Sequence, residues 1–136
     1  MKAILAGALE TGLGTVLSNV TVFVENGKIA DITEGLDPKN ADEVIDASEM
    51  VVTPGLIDAH THIGTYCEGF PESMEDANDM VTPVVPHLRI LDAIYQDDTA
   101  FADALAGGVT CVQTLPGSGN VIGGQGAIIK TATASG

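Results

Sequence analysis

Between residue 1 and about residue 50 the apolar positions fall in short, strand-like runs with no helical period. The opening apolar run, residues 3–9, is ended by Glu10 and reads as a first β-strand. Residues 20–25 and 28–32 are strand-like runs joined by Asn26-Gly27. Asn-Gly between two such runs predicts a hairpin, since a type I′ turn needs positive φ at both central residues. Residues 34–40 read as a loop broken at Gly35 and Pro38. Residues 43–47 and 50–52 are two further short strands before Pro54.

From Leu56 the pattern changes. Residues 56–62 form an apolar strand, followed by a long loop to about Pro86. Leu88, Leu91, Ile94 and Tyr95 then recur at helical spacing and predict a helix over 87–95. A second helix is expected from about residue 98 to Ala106, with Asp97, Asp98 or Thr99 as N-cap and Gly107-Gly108 as its stop. Residues 109–115 are β-branched and predict a strand. Strand, helix and strand in that order form a βαβ unit with parallel pairing. A glycine-rich loop, 117–126, and a strand-like run, 127–131, complete the pattern.

The residues with candidate chemistry sit at the end of the 56–62 strand. Residues i and i+2 of a strand share a face, so His60 and His62 project side by side, with Asp58 one step before them. Two imidazoles held like that can ligate one divalent metal such as zinc, iron or manganese, with Asp58 as a further ligand or supporting partner. The plainer alternative is a solvent-facing or hydrogen-bonded pair, because a complete site needs three or four ligands. His87 follows Pro86 at an expected helix start, where a surface or capping role fits better than ligation. The loop after the histidines carries Glu68, Glu72, Glu75, Asp76 and Asp79. They form either a solvated loop or a cluster facing a metal or a cationic substrate. In the glycine-rich loop, Asn120 and Gln125 can bond a ligand, or the loop is plain and flexible. It matches neither Gly-x-Gly-x-x-Gly nor a Walker A spacing, which speaks against a nucleotide site.

Composition narrows the classes. The chain has 136 residues, 45% of them apolar, enough for a folded core. Nineteen acids against five Lys and Arg leave a formal charge of −14, which excludes nucleic acid and an anionic membrane surface as natural partners. Cys67 and Cys111 lie far apart in no metal or redox spacing and read as reduced thiols in a cytoplasmic protein. No apolar run approaches a membrane span.

Taken together, three stretches resemble the metal-dependent amidohydrolases, and within them the imidazolonepropionase-like branch. They are the hairpin 24–32, the segment from Pro54 through Asp58 to His60 and His62, and residues 104–112, where Cys111 stands at a place often held by Thr. The resemblance implies an α/β protein: residues 1–53 as strands of a small, composite β-sandwich, and residues 54–136 as the first βα units of a (β/α)8 TIM barrel. It implies His60 and His62 as metal ligands at the C-terminal mouth of the first barrel strand. The implied cofactor is a divalent metal, zinc by preference, one or two in a complete enzyme that is homo-oligomeric and acts on a small-molecule substrate. Metal-activated water would attack a C–N bond of a non-peptide amide or cyclic amide. A barrel of this kind takes about 250 residues, and the later ligands have no counterpart here. The expectation is therefore an N-terminal portion of such an enzyme, with no complete catalytic set and no activity alone. The alternative is a binding or scaffold remnant of the same fold. Substrate-binding residues cannot be named from the sequence.

Overall fold

A computed structural model of the chain describes residues 1–71 and 75–132. The chain divides into two compact units, Met1–Pro54 and Gly55–Gly136. Strands dominate both, and among the described residues there is one α-helix.

The first unit is a four-stranded mixed sheet in the order β3-β2-β1-β4, with β1 Lys2–Glu10, β2 Val16–Glu25, β3 Lys28–Glu34 and β4 Glu43–Val52. The Asn26-Gly27 turn joins β2 to β3 with φ of 51° and 72°, the two positive values a type I′ hairpin requires. β1 pairs antiparallel with β2 and parallel with β4, so the sheet needs a crossover between β3 and β4. Ala6, Leu9, Val20 and Val22 form one buried cluster, with Ile4, Leu17, Val24 and Val52 packed against it; Val20 and Val22 share a face by alternation. Each fully buried Val or Leu contributes about 1.5–3 kcal/mol.

One strand replaces the two expected over 43–52. The break read at Ser48–Glu49 is a bulge within β4, seen as a register shift where Ala6 pairs with Ala47 and Ala8 with Val51. Asp46 holds the bulge by accepting from the Ser48 N–H at 3.0 Å; the Ser48 side chain first, and then this N–H, keep its carboxyl below the usual range. Opposite it lies Gly7, where an added Cβ would stand 2.0 Å from the Ser48 carbonyl oxygen.

The second unit holds a three-stranded sheet, order β5-β6-β7: β5 Leu56–Thr61, β6 Val109–Thr114 and β7 Ala127–Lys130. β5 and β6 are parallel, as the βαβ pattern requires, and β7 returns antiparallel to β6. The crossover carries helix α1, Thr99–Ala106. Asp98 is its N-cap, accepting from the Ala100 N–H at 3.1 Å, and Gly107 is its C-cap. Central β6 buries Cys111, Val112 and Thr114, while β5 leaves Leu56 and Ile57 exposed.

The helix expected over 87–95 does not form. Its apolar residues have helical spacing, but only a 3-10 turn, Ile90–Asp92, is present, and Arg89 before it is extended. The backbone groups that a helix would use are bonded elsewhere. Gln125 N–H donates to the Leu88 carbonyl, Ile90 N–H to the Gln125 carbonyl, and Val85 N–H to the Ile122 carbonyl. Tertiary pairing with the glycine-rich loop therefore overrides a local period carried by only four residues. No described helix is long and apolar enough to cross a membrane.

Candidate functional site

The two histidines lie where β5 runs out: His60 one residue before its end and His62 one residue beyond it. Their rings are 5.7 Å apart between centroids, with planes at 86°. The strand register thus brings them together. His62 Nδ1 lies 2.8 Å from the carbonyl oxygen of Leu115, the residue after β6. A carbonyl only accepts, so Nδ1 carries the proton and Nε2 keeps the free lone pair. A backbone acceptor that orients the far nitrogen in this way is the usual support for a metal-binding imidazole. By this test His62 fits a divalent metal through Nε2, and the His60 ring stands beside it.

Asp58 is not drawn into the same arrangement. Its Oδ1 accepts from the His60 backbone N–H at 3.0 Å, so the carboxylate is turned along its own strand. Among the described residues, no group of three or more His, Cys, Asp or Glu side chains is arranged to hold a metal ion. His87 is exposed.

The turn after the histidines is tied down by a residue whose second role the sequence hides. Asp98 is only 3% exposed. Besides capping α1, it accepts from Gly64 N–H at 2.9 Å and Glu68 N–H at 3.4 Å. Thr65 closes the same turn, its hydroxyl donating to the His62 carbonyl at 2.7 Å. The only available signal was a choice of three N-caps, and capping alone does not reveal a bond to a segment 34 residues away.

The acidic loop behaves as a scaffold where it is described; Glu72 lies outside the described residues. Asp79 Oδ1 accepts from the N–H groups of Val81 and Thr82, and these bonds hold its carboxyl below the usual range. Glu68, Glu75 and Asp76 are exposed. Burial pushes the Cys67 thiol up, and the charges of Asp98 and Glu75 add to this, so it stays protonated at neutral pH. Cys67 and Cys111 are free thiols.

The glycine-rich loop is similarly committed. Asn120 Nδ2 donates to the carbonyls of Asp79 and Thr82, and Asn120 Oδ1 accepts from Asp79 N–H. Gln125 Nε2 donates to the Pro86 carbonyl. The loop is a zipper to residues 77–90, and the two amides proposed for ligand contact are used within it. A pocket of about 210 Å³ opens along this zipper, beside Asp76, Asn78, Arg89 and Asn120, and neither histidine lines it. The one cation lining this pocket, Arg89, is paired with Asp92 at 2.8 Å.

The chain thus carries a parallel β5–α1–β6 unit with two histidines at the end of β5. The chain is 34% identical to an amidohydrolase of Thermotoga maritima over a superposition with TM-score 0.86, covering 98% of this chain and 34% of that one. It is 30% identical over 106 residues to a 5'-deoxyadenosine deaminase of Methanothrix thermoacetophila, matching 75% of this chain and 25% of that protein. It is 50% identical over 48 residues to an imidazolonepropionase of Picrophilus torridus, 35% of this chain and 11% of that protein. No protein-family model matches. The chain belongs to the amidohydrolase superfamily. It spans about a quarter of the length of the deaminase and a third of the Thermotoga protein.

Proposed function

We propose that His60 and His62 supply two ligands of a divalent metal centre, zinc by preference, that hydrolyses a C–N bond in a small amide or cyclic amide. The observation that carries this is the Nδ1 bond from His62 to the Leu115 carbonyl, which leaves Nε2 as the free nitrogen beside His60. In this reading residues 1–53 belong to a composite β-sandwich, and β5, α1 and β6 are the first units of a (β/α)8 barrel. Its reactions take place at the C-terminal ends of its strands, where the two histidines lie. When bound, the metal polarises water and the scissile carbonyl. This chain's part is to hold the His62 ring with Nδ1 on the Leu115 carbonyl and Nε2 free, beside His60. The complete enzyme is a cytoplasmic homo-oligomer. Because a catalytic zinc takes three protein ligands, we also propose that these 136 residues alone do not turn over substrate.

Zinc uptake by the wild-type chain and by His60→Ala, His62→Ala and the double variant tests the assignment. Each single change should weaken zinc at least tenfold, the scale expected on losing one ligand or its support. Equal uptake in the wild type and the double variant rejects it. Steady metal-dependent amide hydrolysis by the purified chain rejects the proposal that it is inactive alone.

A further inference from the structure

Tyr66 stands beside His62, with ring centroids 5.6 Å apart and planes at 76°. It is 39% exposed, so its ring is neither buried in the core nor free in solvent. The direction of its hydroxyl proton follows from its neighbours. Asn78 Oδ1 lies 2.8 Å from the backbone nitrogen of Gly119. A backbone N–H only donates, so the atom facing it is the amide oxygen, and the Asn78 orientation is settled. The other end of that amide, Nδ2, is 3.0 Å from the Tyr66 hydroxyl. An NH₂ group only donates, so the phenol oxygen is the acceptor in this bond. Its own proton is left for another partner, and among the described residues no acceptor takes it. An added Cβ at Gly117 or Gly119 would lie 2.5 or 2.8 Å from the Asn78 amide, so the loop and that amide are in close contact.

We infer that Tyr66 is a ligand-binding residue of the His60/His62 site, whose hydroxyl donates its proton to an uncharged carbonyl oxygen of a small amide held beside His62. Asn78 is the positioning residue that turns the phenol into a donor toward the site. The net charge of −14 favours a neutral oxygen over an anion as the partner. The inference rests on the proposed amide chemistry for its ligand class, but its hydrogen-bond logic needs no metal.

The test is an NMR titration of the 136-residue chain, zinc-free and zinc-loaded, with 2-pyrrolidinone as an uncharged cyclic amide. Tyr66→Phe keeps the ring and removes the proton; it should weaken binding about fivefold in either form, the range of one neutral hydrogen bond. Asn78→Asp keeps Tyr66 but offers an acceptor to its hydroxyl, and should weaken binding by a similar factor with zinc uptake retained. A purely packing role for Tyr66 predicts no change in Tyr66→Phe. Equal affinity of wild type and Tyr66→Phe overturns the inference, as does absence of binding to the wild type in both forms. Unchanged zinc uptake in His62→Ala overturns the metal assignment and leaves the Tyr66 result standing.

Discussion

Replacing Asp98 by Ala removes a cap and a tie at once. The cap, Oδ1 on the Ala100 N–H, is worth about 1 kcal/mol. Its other oxygen satisfies the buried Gly64 N–H at 2.9 Å, and a buried donor left unpaired costs about 1–3 kcal/mol. The two add to about 2–4 kcal/mol of local stability at the turn that follows His62. A change of this size speeds amide exchange at Gly64 by about 30-fold or more. Hydrogen–deuterium exchange followed by NMR reads this residue by residue, with Val22 of the first unit as internal reference, since it should not change. Asp98→Asn, with one acceptor oxygen, cannot serve both Gly64 and Ala100 and should fall between wild type and Ala. Exchange at Gly64 within threefold of wild type in Asp98→Ala would refute the tie, since such a change is well under 1 kcal/mol.

Other perturbations are more local. Gly7→Ala places a methyl 2.0 Å from the Ser48 carbonyl and should destabilise the first unit by at least ~1–3 kcal/mol; an unchanged urea midpoint would exclude the bulge geometry. Gly27→Ala puts an L-residue at φ 72° and should cost about 1–2 kcal/mol in the same assay, with little change predicted in the second unit. Asp79 has a folded pKa below its ordinary 3.8, caused first by the Thr82 N–H and then by Val81. Its contribution is therefore present above 3.8 and lost as pH falls through the lower folded value. The amide shifts of Val81 and Thr82 should titrate with a midpoint below 3.8, and a midpoint at or above it would exclude the capped turn.

Features fixed by neighbouring residues were legible in the sequence. Asn26-Gly27 names its turn because few residues tolerate positive φ twice in succession. The Asp98 cap and the Gly107-Gly108 stop mark α1 for the same local reason, and the parallel pairing of β5 with β6 follows from the helix-length crossover between them. His60 and His62 on one face follow from strand period. What the sequence hid depends on residues distant along the chain. The helical period from Leu88 to Tyr95 lost to pairing with the 117–126 loop. The β4 bulge depends on the proximity of Gly7 to Ser48. The second role of Asp98, and the Asn78 amide that orients Tyr66, join segments more than thirty residues apart or reverse a donor–acceptor choice that no spacing encodes.

The acceptor that orients His62 is the main-chain carbonyl of Leu115, not a side chain. No substitution at position 115 except one that moves the chain can delete it. The control of this imidazole is therefore immune to point mutation at its immediate partner and vulnerable to changes in chain path. Pro116, which follows at once and restricts Leu115 to extended conformations, is the place to alter it. Redesign aimed at softening His62 would do better to release that backbone constraint than to search the neighbouring side chains for a partner.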